Sequence, residues 1–292
     1  MTEQTAAPAT GPEPVAAPPA PDLPPVPPLP PAPVAQGPRP PRRVLRAVAR
    51  WTAAVLVFGA AGAGTAYGIT SMERTDVPGL ATEDDGRWDY PALALPALPA
   101  DKPRPYNDGN PSEIHYADLR ELLLPAPAGA TVDKKLKGGW VSNEQFVSEF
   151  IETDRPGIVR TLREGTLRHI AARGWTMPDG TSNRIYLLQF SSADDADAYR
   201  DDRYIGASSA GDPLRGAHEL KLDESWRGGG KIETTSSYVF SEPKPYDSAQ
   251  VRAGYVVAGD TLAMVVQSRE GGVGTPRVPF HQTLILQNQL LG

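Results

Sequence analysis

The chain has 292 residues, no cysteine and a formal net charge of −6. Without cysteine it cannot use disulfides, thiol catalysis, cysteine zinc sites or a lipidated N-terminal cysteine. The first 72 residues hold three acids and five arginines, which leaves 32 acids and 24 bases for the remainder. This acidic remainder argues against binding nucleic acid or an anionic lipid surface through net charge.

The N-terminal segment, residues 1–43, is rich in proline and alanine. Sixteen of the 32 prolines lie before residue 42. Proline lacks an amide donor and restrains the residue before it, so the composition predicts a disordered tail with polyproline II character. PxxP patterns such as Pro25 to Pro28 are typical of segments that dock on aromatic-lined grooves. Such patterns are common in proline-rich sequence, and a solvated spacer explains them as well.

An uncharged run, Trp51 to Met72, follows the tail. Its 22 residues are enough to cross a hydrocarbon core of about 30 Å as a helix. We therefore predict a transmembrane helix with its basic flank over 44–72. The arginines precede the run, so the positive-inside rule predicts a single-pass protein of the cell membrane, with a cytoplasmic N-terminus and an extracytoplasmic C-terminal domain.

The flank supplies the predicted membrane-anchoring residues. Arginines near the headgroups are each worth about 1 kcal/mol against anionic lipid, and tryptophan suits the interface. The predicted anchors, with membrane lipid as their partner, are Arg42, Arg43, Arg46, Arg50 and Trp51.

Three further features, in the apolar run and just before it, concern whether the run is cleaved, exported or paired with a second copy. Ala61-Gly62-Ala63 has the form of a signal-peptide cleavage site, although a 50-residue leader is long for one. Arg42-Arg43 matches a twin-arginine export signal poorly, because Arg46 stands where an apolar residue is usual. Gly64 and Gly68 form a GxxxG motif, which would permit a homodimer through the helix, although a run this rich in alanine and glycine makes such motifs by chance.

Downstream, we predict an extracytoplasmic linker over 73–113 and an α+β domain over 114–292. Apolar periodicity and turn residues predict an antiparallel sheet with helices packed on one face. The predicted helices are 114–124, 143–151, 156 to about 174, one starting after Ser191 or Ser192, and 278–291. The predicted strands are 184–190, 220–225, 232–241, 253–257 and 262–268, with a lysine-containing loop at 125–139.

No catalytic, metal or cofactor motif emerges. The four histidines, His115, His169, His218 and His281, share no close spacing, and GxSxG and SxxK are absent. The acidic run 194–202 is explained by a helix first turn, where the dipole favours acids. Gly228 to Lys231 lacks the spacing of a phosphate loop. Six aromatic residues remain that could line a ligand groove or pack in the core, namely Trp140, Trp175, Trp226, Tyr238, Tyr246 and Tyr255.

One block carries a resemblance to known proteins. Residues 165–199, with Arg-Gly-Trp, RIYLLQF and SSADDADAY, resemble extracytoplasmic domains of actinobacterial lipoproteins and membrane proteins. The proline-rich leader, the arginine cluster, the single span and DGRWDYP are similar to uncharacterised Streptomyces-type single-pass membrane proteins. The resemblance implies a bacterial cell-envelope setting and no established activity. Sensor modules of envelope lipoproteins and receptor kinases look related, but they often carry disulfides, which this chain lacks.

The architecture and the absence of a catalytic constellation favour a membrane-anchored extracytoplasmic binding or interaction module of the cell envelope, without enzymatic activity. An envelope protein or a cell-wall ligand is the expected partner, with no nucleic acid and no cofactor. Two alternatives stay open. One is a structural scaffold whose tail recruits a cytoplasmic partner, and the other is a hydrolase whose site forms only in three dimensions.

Overall fold

The structure, a computed structural model, describes residues 42–71, 85–226 and 230–292. Residues 1–41 of the predicted disordered tail lie outside the described residues. The chain divides into two compact units, Met1–Val77 and Pro78–Gly292. The described part of the first unit is one helix, α1 (Arg42–Ser71).

Helix α1 contains one stretch, Arg43–Thr65, that is long and apolar enough to cross a membrane by length and composition. Its polar hydroxyls are satisfied within the helix. Thr52 Oγ1 donates to the Val48 carbonyl at 2.9 Å, and Thr65 Oγ1 donates to the Ala61 carbonyl at 2.8 Å. Such bonds remove the cost of placing a free hydroxyl in hydrocarbon.

The described part of the second unit is built on a sheet with four helices. The helices are α2 (Asn143–Val147), α3 (Arg155–Glu164), α4 (Ala193–Asp202) and α5 (Arg277–Leu291). The strands are β1 (Thr131–Trp140), β2 (His169–Thr176), β3 (Thr181–Gln189), β4 (Ile205–Gly206), β5 (Ser209–Ala210), β6 (Lys221–Leu222), β7 (Thr235–Ser241), β8 (Ala249–Ala258) and β9 (Thr261–Glu270). Strands β4 and β5 form a separate two-stranded ribbon.

The other seven strands form one antiparallel sheet in the order β1-β2-β3-β9-β8-β7-β6. Its centre is the long hairpin β8–β9, which turns through Gly259 and Asp260. The sequence predicts this hairpin because two β-branched and aromatic runs flank a Gly-Asp turn. The α+β class and the antiparallel sheet are as predicted.

The prediction that the helices pack on one face is wrong. Alternate residues of strands β2, β3, β7, β8 and β9 enter two separate cores, one on each face of the sheet. The core on one face, which we call the upper core, holds Phe146, Ile158 and Tyr199 from α2, α3 and α4. The core on the opposite face, which we call the lower core, holds Phe280 and Leu284 from α5. Because both faces of these strands are buried, their sequences are continuous apolar runs such as RIYLLQF and do not alternate between apolar and polar residues.

Three local predictions in the first part of the domain are also wrong. The predicted helix 114–124 is irregular, because distant side chains hold its backbone: Gln287 pairs with Leu122 and Leu124, and Arg173 donates to Leu123 and Leu124. The predicted loop 125–139 contains edge strand β1, whose three exposed lysines are typical of a protected sheet edge. The third predicted helix, 156 to about 174, ends at Glu164, and residues 169–176 form β2.

Part of the predicted linker 73–113 packs on the domain. Trp88, Tyr90 and Leu93 contact the lower core, and both aromatic rings lie 6.3 Å from the ring of buried Trp175. Asn110 closes a turn by accepting from Ile114 N and donating to Ile114 O. Trp88 and Tyr90 are therefore partly buried against the lower core of the second unit.

Candidate functional site: the groove along helix α5

Helix α5 buries one stripe of side chains on the lower core and leaves a second stripe exposed or partly exposed. Phe280, Leu284, Gln287 and Leu291 recur at helical spacing and are buried. Beneath them the sheet comes close, since a Cβ on Gly254 of β8 would lie 2.9 Å from Leu284 Cδ1. This close packing fixes the rotation of α5 and hence which side chains it presents outward.

The outward stripe forms one side of a groove of about 640 Å³, which we call the α5 groove. Val278, Ile285 and Leu286 supply apolar surface along it. Arg277 and His281 lie on the same stripe, and Arg87 faces the groove from the preceding extended segment. The volume lies within the range of about 300–1,000 Å³ that small-molecule sites occupy.

A polar cluster supports one end of the groove. Asp223 Oδ2 lies 2.9 Å from His281 Nε2 and 3.2 Å from Arg252 Nη1. Its other oxygen accepts from the Ser225 hydroxyl and, at 3.0 Å, from Ser225 N. The Trp226 ring meets the His281 imidazole edge-on at 5.1 Å. Each neighbour therefore fixes the orientation of His281.

The protonation of this cluster follows from its contacts. Burial disfavours the charged form of Asp223, but the hydrogen bonds from Ser225 and His281 outweigh it and hold the pKa of the carboxyl below its usual range. Burial also lowers the pKa of the Arg252 guanidinium, an effect that Asp223 opposes and Arg277 reinforces. Arg277 is thus close enough to Arg252 for the two cations to repel.

The same cluster contains serine, histidine and aspartate, but not in the arrangement of a nucleophile with its base. The Ser225 hydroxyl donates to Asp223, and the described contacts include no hydrogen bond between Ser225 and His281. A carboxyl with a lowered pKa is a weak proton acceptor. The arrangement is suited to holding donors in place around a ligand.

Positive charge dominates the lining of the α5 groove. Arg87 pairs with Asp85 at 3.2 Å, and both side chains are largely exposed. Arg277 forms no ion pair with any residue of the described ranges, and no acid is among the lining residues there. Surface ion pairs such as that of Arg87 are weak, so an incoming anion can compete with Asp85.

The predicted anchors all lie in α1. The side chains of Arg43, Arg46, Arg50 and Trp51 are exposed in the isolated helix. Arg43, Arg46 and Arg50 share a face at spacings of three and four residues. Their contact with lipid stays a prediction, as does a homodimer through Gly64.

The four histidines lie apart, each in its own setting. His115 is buried against Asp260, whereas His218 meets Asp247 at the surface. His169 stacks on Trp140 at 4.9 Å. Within residues 42–71, 85–226 and 230–292, no three acids or histidines gather as metal ligands would.

The acidic run 194–202 has structural partners. Ser192 caps α4 by accepting from Asp195 N at 3.2 Å, as the helix-start prediction requires. Arg200 pairs with Asp197 and Asp201, while Arg203 pairs with Asp202 and Asp212. These contacts account for the charges without a bound cation.

Sequence reasoning did not find the α5 groove. Arg277 and His281 lie at the start of a helix that was predicted, but Asp223 and Arg252 belong to other strands and loops. His281 and Asp223 are separated by 58 residues, so no spacing in the chain relates them. The sequence pattern that could have indicated the groove is the set of apolar residues Val278, Ile285 and Leu286, which lie beside the main buried stripe of the helix.

No protein-family model matches the chain, and no curated protein matches it. Among solved structures, it is similar to the extracellular domain of PknH from Mycobacterium tuberculosis, with 10% sequence identity and a TM-score of 0.30. That match covers 55% of this chain and 77% of the other chain. At this TM-score the likeness carries no argument about fold or function.

Proposed function

We propose that this chain is a membrane-anchored, extracytoplasmic binding module of the cell envelope, and that its α5 groove holds a small amphiphile with an anionic head and an apolar chain. One observation carries the proposal. Arg277, which forms no ion pair in the described parts of the chain, lines the α5 groove together with exposed Val278 and the partly buried Ile285 and Leu286.

Charge and shape support this ligand class. An anionic head beside Arg277 relieves the repulsion between Arg277 and Arg252, and His281 is a further partner for it. Each methylene of an apolar chain that is buried in the groove contributes about 0.8 kcal/mol. The arginines that precede the apolar stretch of α1 support an orientation that leaves the groove outside the cytoplasm.

Binding is tested on the full-length protein in nanodiscs of zwitterionic lipid, with empty nanodiscs subtracted. Octyl phosphate and decanoate are titrated calorimetrically, with inorganic phosphate as the chainless comparison. The phosphate and carboxylate arms distinguish which head group the groove prefers. We expect an eight-carbon chain to bind at least tenfold more tightly than inorganic phosphate.

Arg277→Gln is the diagnostic variant, and Arg160→Gln is its matched control. Arg160 is an exposed arginine on α3 and does not line the α5 groove. Loss of one charge-assisted contact is expected to weaken binding about tenfold, since 1.4 kcal/mol corresponds to a factor of ten. Equal affinities of the two variants, or no dependence on chain length, would overturn the proposal.

A hydrolase is the second candidate, and the observation that favours it is that Ser225 and His281 both contact Asp223 at one end of the α5 groove. It predicts turnover of a p-nitrophenyl ester by the full-length protein. Turnover that is lost in Ser225→Ala but retained in Ser191→Ala would replace the binding proposal. Ser191 is the control because it is an exposed serine outside the cluster.

A further inference from the structure

A second cavity lies at the other end of the lower sheet face, where strands β1, β2 and β3 carry Trp140, His169 and Gln189. Its volume is about 360 Å³. Residues that line it include Pro99, His115, Tyr116, Trp140, Arg168 and Gln189. We call it the Trp140 cavity, and it shares no lining residue with the α5 groove.

The inner wall of the Trp140 cavity is a fixed polar network. Gln189 Nε2 donates to the His115 carbonyl and to Asp260 Oδ2, both at 2.9 Å. His115 Nδ1 lies 2.7 Å from Asp260 Oδ1, and its Nε2 lies 2.9 Å from the Leu291 carbonyl. Gln189 and His115 are only 6% and 5% exposed, so neither can turn toward bulk water.

This network leaves one acceptor unused. The amide nitrogen of Gln189 faces two groups that only accept, which fixes the amide orientation and points Oε1 away from them. Oε1 accepts no hydrogen bond from any residue in the described ranges. Because Gln189 lines the cavity, this acceptor can take a donor such as a ligand hydroxyl in the place of water.

The outer walls are aromatic and held in place. Trp140 is 47% exposed although its ring is tilted against His169 at 4.9 Å and lies 5.1 Å from the Arg120 guanidinium. Lys102 Nζ lies 4.8 Å from the centre of the Tyr116 ring. Because neighbours hold these rings, a ligand that packs on them loses little side-chain freedom by binding.

Two charged side chains, Asp118 and Arg168, line the cavity. Asp118 is neutralised by Arg120, which meets it through three nitrogen–oxygen contacts. Arg168 is exposed, and its guanidinium makes no ion pair with the parts of the chain that the structure describes. An anionic group of a ligand can therefore pair with Arg168 without displacing a carboxylate.

We propose that the Trp140 cavity is a binding site for an acidic saccharide. A sugar hydroxyl donates to Gln189 Oε1, the apolar face of the ring packs on Trp140, and a carboxylate or phosphate on the sugar pairs with Arg168. A charged sugar combines the hydroxyl donor, the apolar ring face and the anionic group that these three side chains can bind. The site is independent of the α5 groove.

The test uses the full-length protein in zwitterionic nanodiscs and saturation-transfer NMR titrations with glucuronate, glucose 6-phosphate and glucose. The two acidic sugars distinguish a carboxylate from a phosphate as the anionic group. We expect at least one of them to bind about tenfold more tightly than glucose. Equal affinity for glucose and both acidic sugars, or no binding of any sugar, would overturn the proposal.

Three variants locate the site. Arg168→Gln is expected to weaken the acidic sugar about tenfold and to leave glucose unchanged, whereas Trp140→Ala weakens all sugars. Arg163→Gln is the matched control, because Arg163 is a nearby exposed arginine that pairs with Glu144 and does not line this cavity. Equal effects of Arg168→Gln and Arg163→Gln would contradict the assignment, provided that both variants keep the wild-type melting temperature.

Discussion

The side chain of Gln282 pairs with the backbone of Trp88 in both directions. Its Oε1 accepts from Trp88 N at 2.8 Å, and its Nε2 donates to Trp88 O at 2.9 Å. A side-chain amide on α5 thereby replaces a neighbouring strand for an extended segment 194 residues away. This pairing explains how the segment before the sheet stays on the lower core and keeps Arg87 at the α5 groove.

Removing this pairing is expected to loosen the segment. Gln282→Ala loses two hydrogen bonds, each worth about 1 kcal/mol, so the free energy of unfolding should fall by about 2 kcal/mol. Hydrogen exchange of the backbone amides of Trp88 and Tyr90 should accelerate by the factor that corresponds to about 2 kcal/mol, since 1.4 kcal/mol is a factor of ten. Gln289→Ala, on the same helix and without a hydrogen-bonded side chain in the described contacts, should change neither quantity. Equal effects of both variants would contradict the pairing.

Packing of α5 on the sheet depends on Gly254. A methyl group there would lie 2.9 Å from Leu284 Cδ1 and 3.4 Å from Phe280 Cζ, so Gly254→Ala should cost about 1–3 kcal/mol of unfolding free energy. Gly157→Ala in α3 meets nothing within 4 Å and should stabilise by up to about 1 kcal/mol. Urea unfolding followed by circular dichroism distinguishes the two, and a stabilising Gly254→Ala would contradict the packing.

Two histidine–aspartate pairs in the domain should differ in strength because one is buried and the other is exposed. Asp260 accepts from His115, Thr261 and Gln189, and it is completely buried. Asp260→Ala leaves these buried donors without an acceptor and should cost about 3–5 kcal/mol.

The exposed pair of His218 with Asp247, at 2.9 Å, provides the matched control. Asp247→Ala should cost less than about 1 kcal/mol, because exposed ion pairs contribute little. Thermal and urea unfolding measure both variants. Similar losses at the two positions would show that Asp260 is not a central support of the fold.

Asp223 should make stability depend on acid pH. Its pKa is held below the ordinary 3.8, so its contribution is complete above that value and is lost as the pH falls through the lower pKa of the folded state. The difference in unfolding free energy between wild type and Asp223→Asn should therefore be largest above pH 4 and shrink toward pH 2. Other carboxylates titrate in both proteins and cancel. A difference that stays constant over this range would contradict the cluster geometry.

The sequence predicted those elements whose stabilising contacts are local or periodic. The β8–β9 hairpin, helix α5 and the cap at Ser192 all follow from turn chemistry, apolar spacing or capping. Strand β1 was missed because an edge strand with lysines alternates weakly in hydrophobicity. The segment before it was taken for a helix because its leucines are helically spaced, but Gln287 and Arg173, far along the chain, supply its hydrogen bonds.

The two candidate sites could not be predicted from the sequence, because residues that are far apart in the chain form each of them. Arg277 and Ile285 both lie in predicted helix α5. The polar cluster beside them, however, is formed by Asp223 and Arg252, which lie in other elements of the chain. Trp140 was one of six aromatic residues that could line a groove or pack in the core. Only the structure separates it from Trp175 and Tyr255, which are buried in the two cores.

We propose above all that α1 anchors the sheet domain at the outer face of the membrane. Protease treatment of intact spheroplasts, with a tag at each end of the full-length chain, tests it directly. We predict that added protease removes the C-terminal tag from a membrane-bound, full-length species and spares the N-terminal tag. A protected C-terminal tag would reverse the topology, and a free C-terminal fragment that begins near residue 64 would show that the helix is a cleaved signal peptide.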